Sequence, residues 1–303
     1  MAGHPPLPAC RTRLRFVLSL TITAVMAGCA PVGDGGRGQG PGGRQQGLAL
    51  SPEQELQLGT EAYREILSKA EVVRGGPAVE HVRTVGQRIA DVATGESQMS
   101  RLLRREINLH VDPRYYRWEF NVLKDPRVNA FCLPGGKVAV FTGLFKVTGE
   151  NDDFLAVVLG HEIAHALAHH ASERLYREDM TGAALRVVTT RGGMNSLNAE
   201  EQHKLLGLLA AGSGFSTLAF DRWQESEADH IGVFLMTFAG YRPEAAVEFW
   251  GQMQQASAGD FRLPEIFSDH PSDARRVAQL RAWGENARAA KRAYDEGRVA
   301  PGP

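Results

Sequence analysis

A chain of 303 residues, 43% hydrophobic and 23% charged, has an ordinary globular balance and is long enough for one substantial domain or two small ones. Its 34 basic residues are matched by 35 acidic ones, and no basic block interrupts the sequence. That balance excludes nucleic acid as an expected partner.

In chain order, Arg11, Arg13 and Arg15 come first, followed by an uncharged run from Phe16 to Ala27. A basic start, a short apolar stretch and small residues after it describe an export signal over residues 1–28. The run falls short of the ~20 apolar residues that a membrane-spanning helix needs. Met26-Ala27-Gly28-Cys29 resembles the bacterial lipobox, which implies a lipidated Cys29 as mature N-terminus and a membrane held through that lipid. With Ala30 rather than Asp next, the resemblance implies a periplasm-facing lipoprotein of the bacterial envelope, at its outer membrane. Removing the signal leaves 31 basic against 35 acidic residues and takes Cys10 away. Cys132 is then alone, so no intrachain disulfide is expected. Residues 29–50 are rich in glycine and read as a flexible tether, with a reach of ~21–25 Å over residues 30–47.

Residues 51–303 form the folded domain. Ser51-Pro52-Glu53-Gln54 opens a helix that runs to about Lys69. A second helix over 77–94 carries Val79, Val82, Val85, Ile89 and Val92 at helical spacing. Strands are expected over 107–111, 118–123 and 137–145, the last entered through the turn Pro134-Gly135-Gly136. Asn151-Asp152-Asp153 caps a histidine-rich helix, and Gly240 closes one that begins near Arg222. Pro243 and Ser272 open two more. Residues 178–220 are weakly patterned near their middle and are expected to form a mobile cover. The uncharged run 205–220 reads as packed helix and loop. Together these elements predict an α+β fold, mostly helical, with a small antiparallel sheet.

The chemistry lies in "LGHEIAHALAHH", residues 159–170. His161 and His165 are four apart, so on a helix they share a face and converge on one tetrahedral zinc ion. Glu162 lies beside that ion rather than under it, placed to take a proton from an activated water. His169 and His170 are read as helix-face or supporting residues, because His161 and His169 lie ~12 Å apart along a helix axis. A catalytic zinc takes a third protein ligand. In "QESEADHIG", residues 224–232, Glu225 and Asp229 share a helix face and Glu227 does not. Glu225 is therefore the expected third ligand, Asp229 the carboxylate that orients a ligand histidine, and Glu227 a solvated side chain.

HExxH followed by Glu-x-x-Ala-Asp resembles the gluzincin peptidases of the CAAX-prenyl-protease and HtpX group, peptidase family M forty-eight, including its exported BepA- and LoiP-type lipoprotein proteases. "NAFCLPGG" (129–136), "FTGLF" (141–145), "AGYRPEAAVEFW" (239–250) and "HPSDARR" (270–276) extend the likeness over about residues 52–283. The resemblance implies a zincin-type domain holding one zinc ion on His161, His165 and Glu225, with Glu162 as base. It implies that His270 and Arg276 line the site and act in catalysis. It also implies that a substrate peptide pairs along Asn129, Ala130 and Phe131 as an added strand. Cys132, in the same motif, is expected to be buried filler rather than a nucleophile. The implied activity is hydrolysis of misfolded or misassembled envelope proteins. The competing expectation is a chaperone or outer-membrane assembly factor whose metal is mainly structural.

Overall fold

The computed structural model describes residues 1, 38–39, 44–210, 222–257 and 274–298. Two units divide the chain, Met1–Val32 and Gly33–Pro303. Of the first only Met1 is described, and the rest of the fold belongs to the second.

A two-residue pair, β1 (Gly38–Gln39) with β2 (Gln45–Gln46), precedes the first helix. Helix α1 (Pro52–Lys69) starts at Ser51, whose hydroxyl and Gln54 make a reciprocal capping box. After the short strand β3 (Val72–Val73) come α2 (Pro77–Thr94) and α3 (Gln98–Glu106). The strand expected over 107–111 is absent. Ile107 caps α3, Asn108 takes a left-handed conformation at φ 48°, and Leu109 N–H donates back to Arg104 O at 2.7 Å. Ile107 and Leu109 alternate with polar residues because this helix-closing turn buries them, not because a ladder does.

Three further strands follow, β4 (Glu119–Leu123), β5 (Ala130–Leu133) and β6 (Lys137–Phe141). The sheet order is β3-β4-β6-β5, and the β4–β6 pair is parallel. The expected antiparallel sheet is therefore a mixed one. The chain passes from β4 out to the edge strand β5, and the Pro134-Gly135-Gly136 turn returns it as β6 between the two. Gly135 and Gly136 both need positive φ, 76° and 84°, to close that hairpin. Alternate residues of β6 enter two cores. Val138 and Val140 pack with α2 and with α5 (Asp152–Leu167), whereas Ala139 and Phe141 pack with α1, α7 (Thr181–Thr189) and α8 (Ala199–Leu209). The sheet thus lies between two helical layers.

Between β6 and α5 lie a 3-10 turn (Thr142–Leu144) and the short helix α4 (Phe145–Thr148); α6 (His170–Arg177) follows α5. Where a mobile cover was expected, α7 and α8 are packed: Met194 and Leu197 are buried between them, and Asn198 with Glu201 forms a second capping box. Residues 211–221 lie outside the described residues. The remaining helices among the described residues are α9 (Arg222–Phe238), α10 (Glu244–Ser257) and α11 (Ala274–Asp295). Among the described residues no helix is long and apolar enough to cross a membrane.

One contact sets the position of the site. Helices α5 and α9 cross at Gly160 and Gly232, where a Cβ on Gly232 would lie 3.0 Å from Gly160 C and from His161 N. Neither backbone can yield there without moving a helix. Gly232→Ala is expected to destabilise the protein by about 1–3 kcal/mol through overpacking. Thermal unfolding checks this, and an unchanged melting temperature would mean that the helices do not meet so closely.

Candidate metal centre

The glycine crossing lets the two helices face each other with little between them, and their polar residues meet there. His161 and His165 on α5 and Glu225 on α9 are all buried, and they are the one group of metal-ligating type found among the described residues. His161 Nε2 lies 3.0 Å from His165 Nε2; Glu225 Oε2 and Oε1 lie 3.4 Å from His161 Nε2 and His165 Nε2 respectively. A tetrahedral zinc site with bonds of about 2.0–2.1 Å has ligand–ligand edges of about 3.3–3.4 Å. Two imidazoles and a carboxylate at this separation fit such an ion, with one corner left for water or substrate.

The outer nitrogens of both histidines are held. His161 Nδ1 is 3.0 Å from Asp229 Oδ1, so Nδ1–H donates to the carboxylate and the Nε2 lone pair faces the other ligands. Asp229 takes the place expected of it. Burial works against its charge, but Arg276 and His161 outweigh that and hold its carboxyl below the ordinary range. Burial pushes His165 well below the usual imidazole range, partly opposed by Glu225, so the ring is neutral, as a ligand must be.

Arg276 is on α11 and buried. Its Nη1 is 3.0 Å from Glu225 Oε2, Nη2 donates to Asp229 Oδ1 at 2.9 Å, and Nε donates to Asp229 Oδ2. Its guanidinium also stacks on Trp250, 4.1 Å from the ring centroid. Arg276, expected to line the site and act in catalysis, lies against it and bridges Glu225 and Asp229. Its expected companion His270 lies outside the described residues, as does Cys29.

Glu162 is 2% exposed, on the same helix turn as His161. Its charge and burial together raise the Cys132 thiol well above its usual range, burial being the larger cause. Cys132 is therefore a protonated filler of the core, as expected, and it marks how near Glu162 lies to β5. Asn129 and Ala130 stand at the start of that edge strand, where Asn129 Oδ1 accepts from Ala130 N–H at 2.8 Å. Phe131 follows on the same strand. It is 1% exposed and packs edge-on to Phe141 in the core.

Two expectations near the metal need correction. Helix α5 does not continue through His169, which adopts φ 57° and starts α6 in a new direction. His169 then turns outward to Glu55, 2.5 Å from its Oε2, while His170 folds back to 2.8 Å from His165. Glu227 is not solvated. Its side chain is 11% exposed, with Oε2 at 2.9 Å from His170 Nε2 and 2.8 Å from Arg44 Nη2. Its helix face points away from His161 and His165, but α6 folds over that face. The tether expected over 29–50 also ends early, because Ala49 and Leu50 are buried and both donate N–H to Ser172 Oγ at 3.1 Å.

The family model of Peptidase family M48 matches residues 93–284. Among similar curated proteins, the mitochondrial metalloendopeptidase OMA1 of Schizosaccharomyces pombe is 36% identical over 181 residues, covering 59% of this chain and 50% of that protein. OMA1 of Arabidopsis thaliana is 36% identical over 163 residues, covering 54% and 31%. The beta-barrel assembly-enhancing protease of Yersinia pestis is 27% identical over 241 residues, covering 79% and 46%. The chain thus spans about half the length, or less, of the curated relatives it matches. The mitochondrial names overturn the expected bacterial outer-membrane location. An arginine-bearing N-terminal segment free of acidic residues does not separate bacterial export from mitochondrial import, since transit segments share that composition.

Proposed function

Since the chain belongs to peptidase family M48, with a metallopeptidase domain over most of its described residues, we propose that it is a zinc-dependent endopeptidase that cuts misfolded or misassembled proteins. The observation that carries this reading is the buried convergence of His161, His165 and Glu225 beside Glu162. Two histidines and a glutamate are a donor set of catalytic zinc. When bound, zinc supplies the Lewis acidity that lowers the pKa of a water and polarises the scissile carbonyl. Glu162 takes the proton of the attacking water and delivers it to the leaving amine nitrogen.

The preference for unfolded chains follows from β5. In its antiparallel pairing with β6, Phe141 N–H donates to Asn129 O, which fixes the alternation. Asn129, Phe131 and Leu133 direct their backbone groups inward to β6, and Ala130 and Cys132 direct theirs to the outer edge. Asn129 already takes the Ala130 N–H. An extended peptide adding as a strand along this edge is something a folded substrate cannot offer.

Unfolded casein is expected to be cut at internal bonds, whereas a stably folded protein is spared. A chelator should stop the reaction and added zinc restore it. Normal metal content without cleavage, but with suppressed aggregation of unfolded protein, would favour a chaperone instead.

A further inference from the structure

The ligand His165 is backed by a chain of contacts that the peptidase reaction itself does not use. From its Nδ1 the chain runs to His170 Nδ1 at 2.8 Å, and from His170 Nε2 to Glu227 Oε2 at 2.9 Å. The same Glu227 oxygen accepts from Arg44 Nη2 at 2.8 Å. Arg44 also grips Glu173 with two nitrogens, Nη1 to Oε1 at 2.7 Å and Nη2 to Oε2 at 2.9 Å. Behind it, Gln46 Nε2 donates to Ala168 O at 2.8 Å, in the turn between α5 and α6. The segment from Arg44 to Leu50 is thus a strap across α6, tied at both ends.

We infer that Glu227 and Arg44 are positioning residues of the metal centre, fixing through His170 the tautomer and orientation of His165. This rests on the reading of His161, His165 and Glu225 as metal ligands.

The reason lies in proton bookkeeping along the chain. To bind a metal through Nε2, neutral His165 must carry its proton on Nδ1. That proton is donated to His170 Nδ1, which must then be bare. His170 therefore carries its own proton on Nε2, and Nε2 needs an acceptor. Glu227 Oε2 is that acceptor, and Arg44 holds the carboxylate in place. Without Glu227, His170 is free to move its proton to Nδ1. Two N–H groups cannot face each other at 2.8 Å, so His165 would shift its proton to Nε2, the atom that faces the ligand set. The opposite tautomer blocks metal binding, and the contact with Glu227 excludes it. Carboxylates that back a ligand histidine directly do the same through one contact. Here a second histidine is inserted between, and the N-terminal strap becomes part of the support.

Metal affinity separates this role from a merely structural one. Full-length protein would be stripped of metal and titrated with zinc against a chromophoric chelator, and with cobalt, whose visible bands report the ligand field. Glu227→Ala is expected to weaken zinc about 10–100-fold and to alter the cobalt bands. Glu227→Gln, which keeps an acceptor for His170, should recover much of that loss. Arg44→Ala should weaken zinc several-fold, with Arg44→Lys intermediate. If Glu227→Ala fails to fold, Arg44→Ala in the strap carries the same test. Wild-type affinity and wild-type cobalt bands in Glu227→Ala and Arg44→Ala would overturn the inference. The control is His161→Ala. Should it lose the metal while those variants keep it, the relay alone fails; should it keep the metal too, the ligand assignment fails.

Discussion

Glu162→Gln is expected to retain about one metal ion per chain and to lose peptidase activity. The substitution keeps the size of the side chain and an oxygen at the same place, and no ligand is removed. What disappears is the ability to accept a proton. A general base contributes ~10²–10⁴ in rate, or about 3–6 kcal/mol of barrier at ~1.4 kcal/mol per tenfold change. Casein turnover should therefore fall at least a hundredfold, while zinc content and melting temperature stay near wild type. Binding of unfolded substrate along β5 needs no proton transfer, so the variant should hold substrate that it cannot cut. Undiminished turnover at full metal content would remove Glu162 from the mechanism. The position of Glu162 supports the stronger outcome: it is 2% exposed and near enough to Cys132 of the edge strand to raise its thiol.

What the sequence reveals here depends on how local each signal is. Helices α1 and α2 were legible to the residue, since a capping box starts one and a proline opens the other. HExxH was legible because its ligand spacing lies within one helix, and Glu225 with Asp229 for the same reason. Helix α3 escaped, being short and strongly charged, with only Leu102 and Leu103 as buried apolar side chains. Its closing turn then imitated a strand at Ile107 and Leu109. The parallel β4–β6 pair depends on the insertion of a hairpin, which no local pattern announces. Glu227 was misjudged because a helical wheel shows which residues share a face of α9 but not what packs on the other. What packs there is α6, turned back by a left-handed residue at His169 where neither glycine nor asparagine gives warning. Arg44 was hidden in a glycine-rich stretch whose composition predicts a tether, although its two carboxylate partners lie more than a hundred residues away.

Removal of Glu225 should act on binding rather than on chemistry. Glu225→Ala leaves only His161 and His165, two nitrogen donors, of the one three-residue metal-ligating group found among the described residues. It also takes away the one negative ligand, so the ion would meet Arg276, 3.0 Å from the former Glu225 Oε2, without an intervening carboxylate. Asp229 cannot replace it, because both of its oxygens are held, Oδ1 by His161 and by Arg276 Nη2 and Oδ2 by Arg276 Nε. Metal content after dialysis is expected to drop to background, and casein cleavage with it. Glu227→Ala, two residues along, should instead keep a weakened site that excess zinc refills. Elemental analysis of both variants, with and without added zinc, makes the comparison, and far-ultraviolet circular dichroism shows that each has folded. Cleavage that returns in Glu225→Ala at modest zinc would mean that another side chain completes the coordination. A full metal complement in Glu225→Ala that disappears in Glu227→Ala would exchange the roles of the two glutamates. The 3.4 Å approaches of Glu225 to both histidines, and the separation of Glu227 from them by His170, argue for the first ordering.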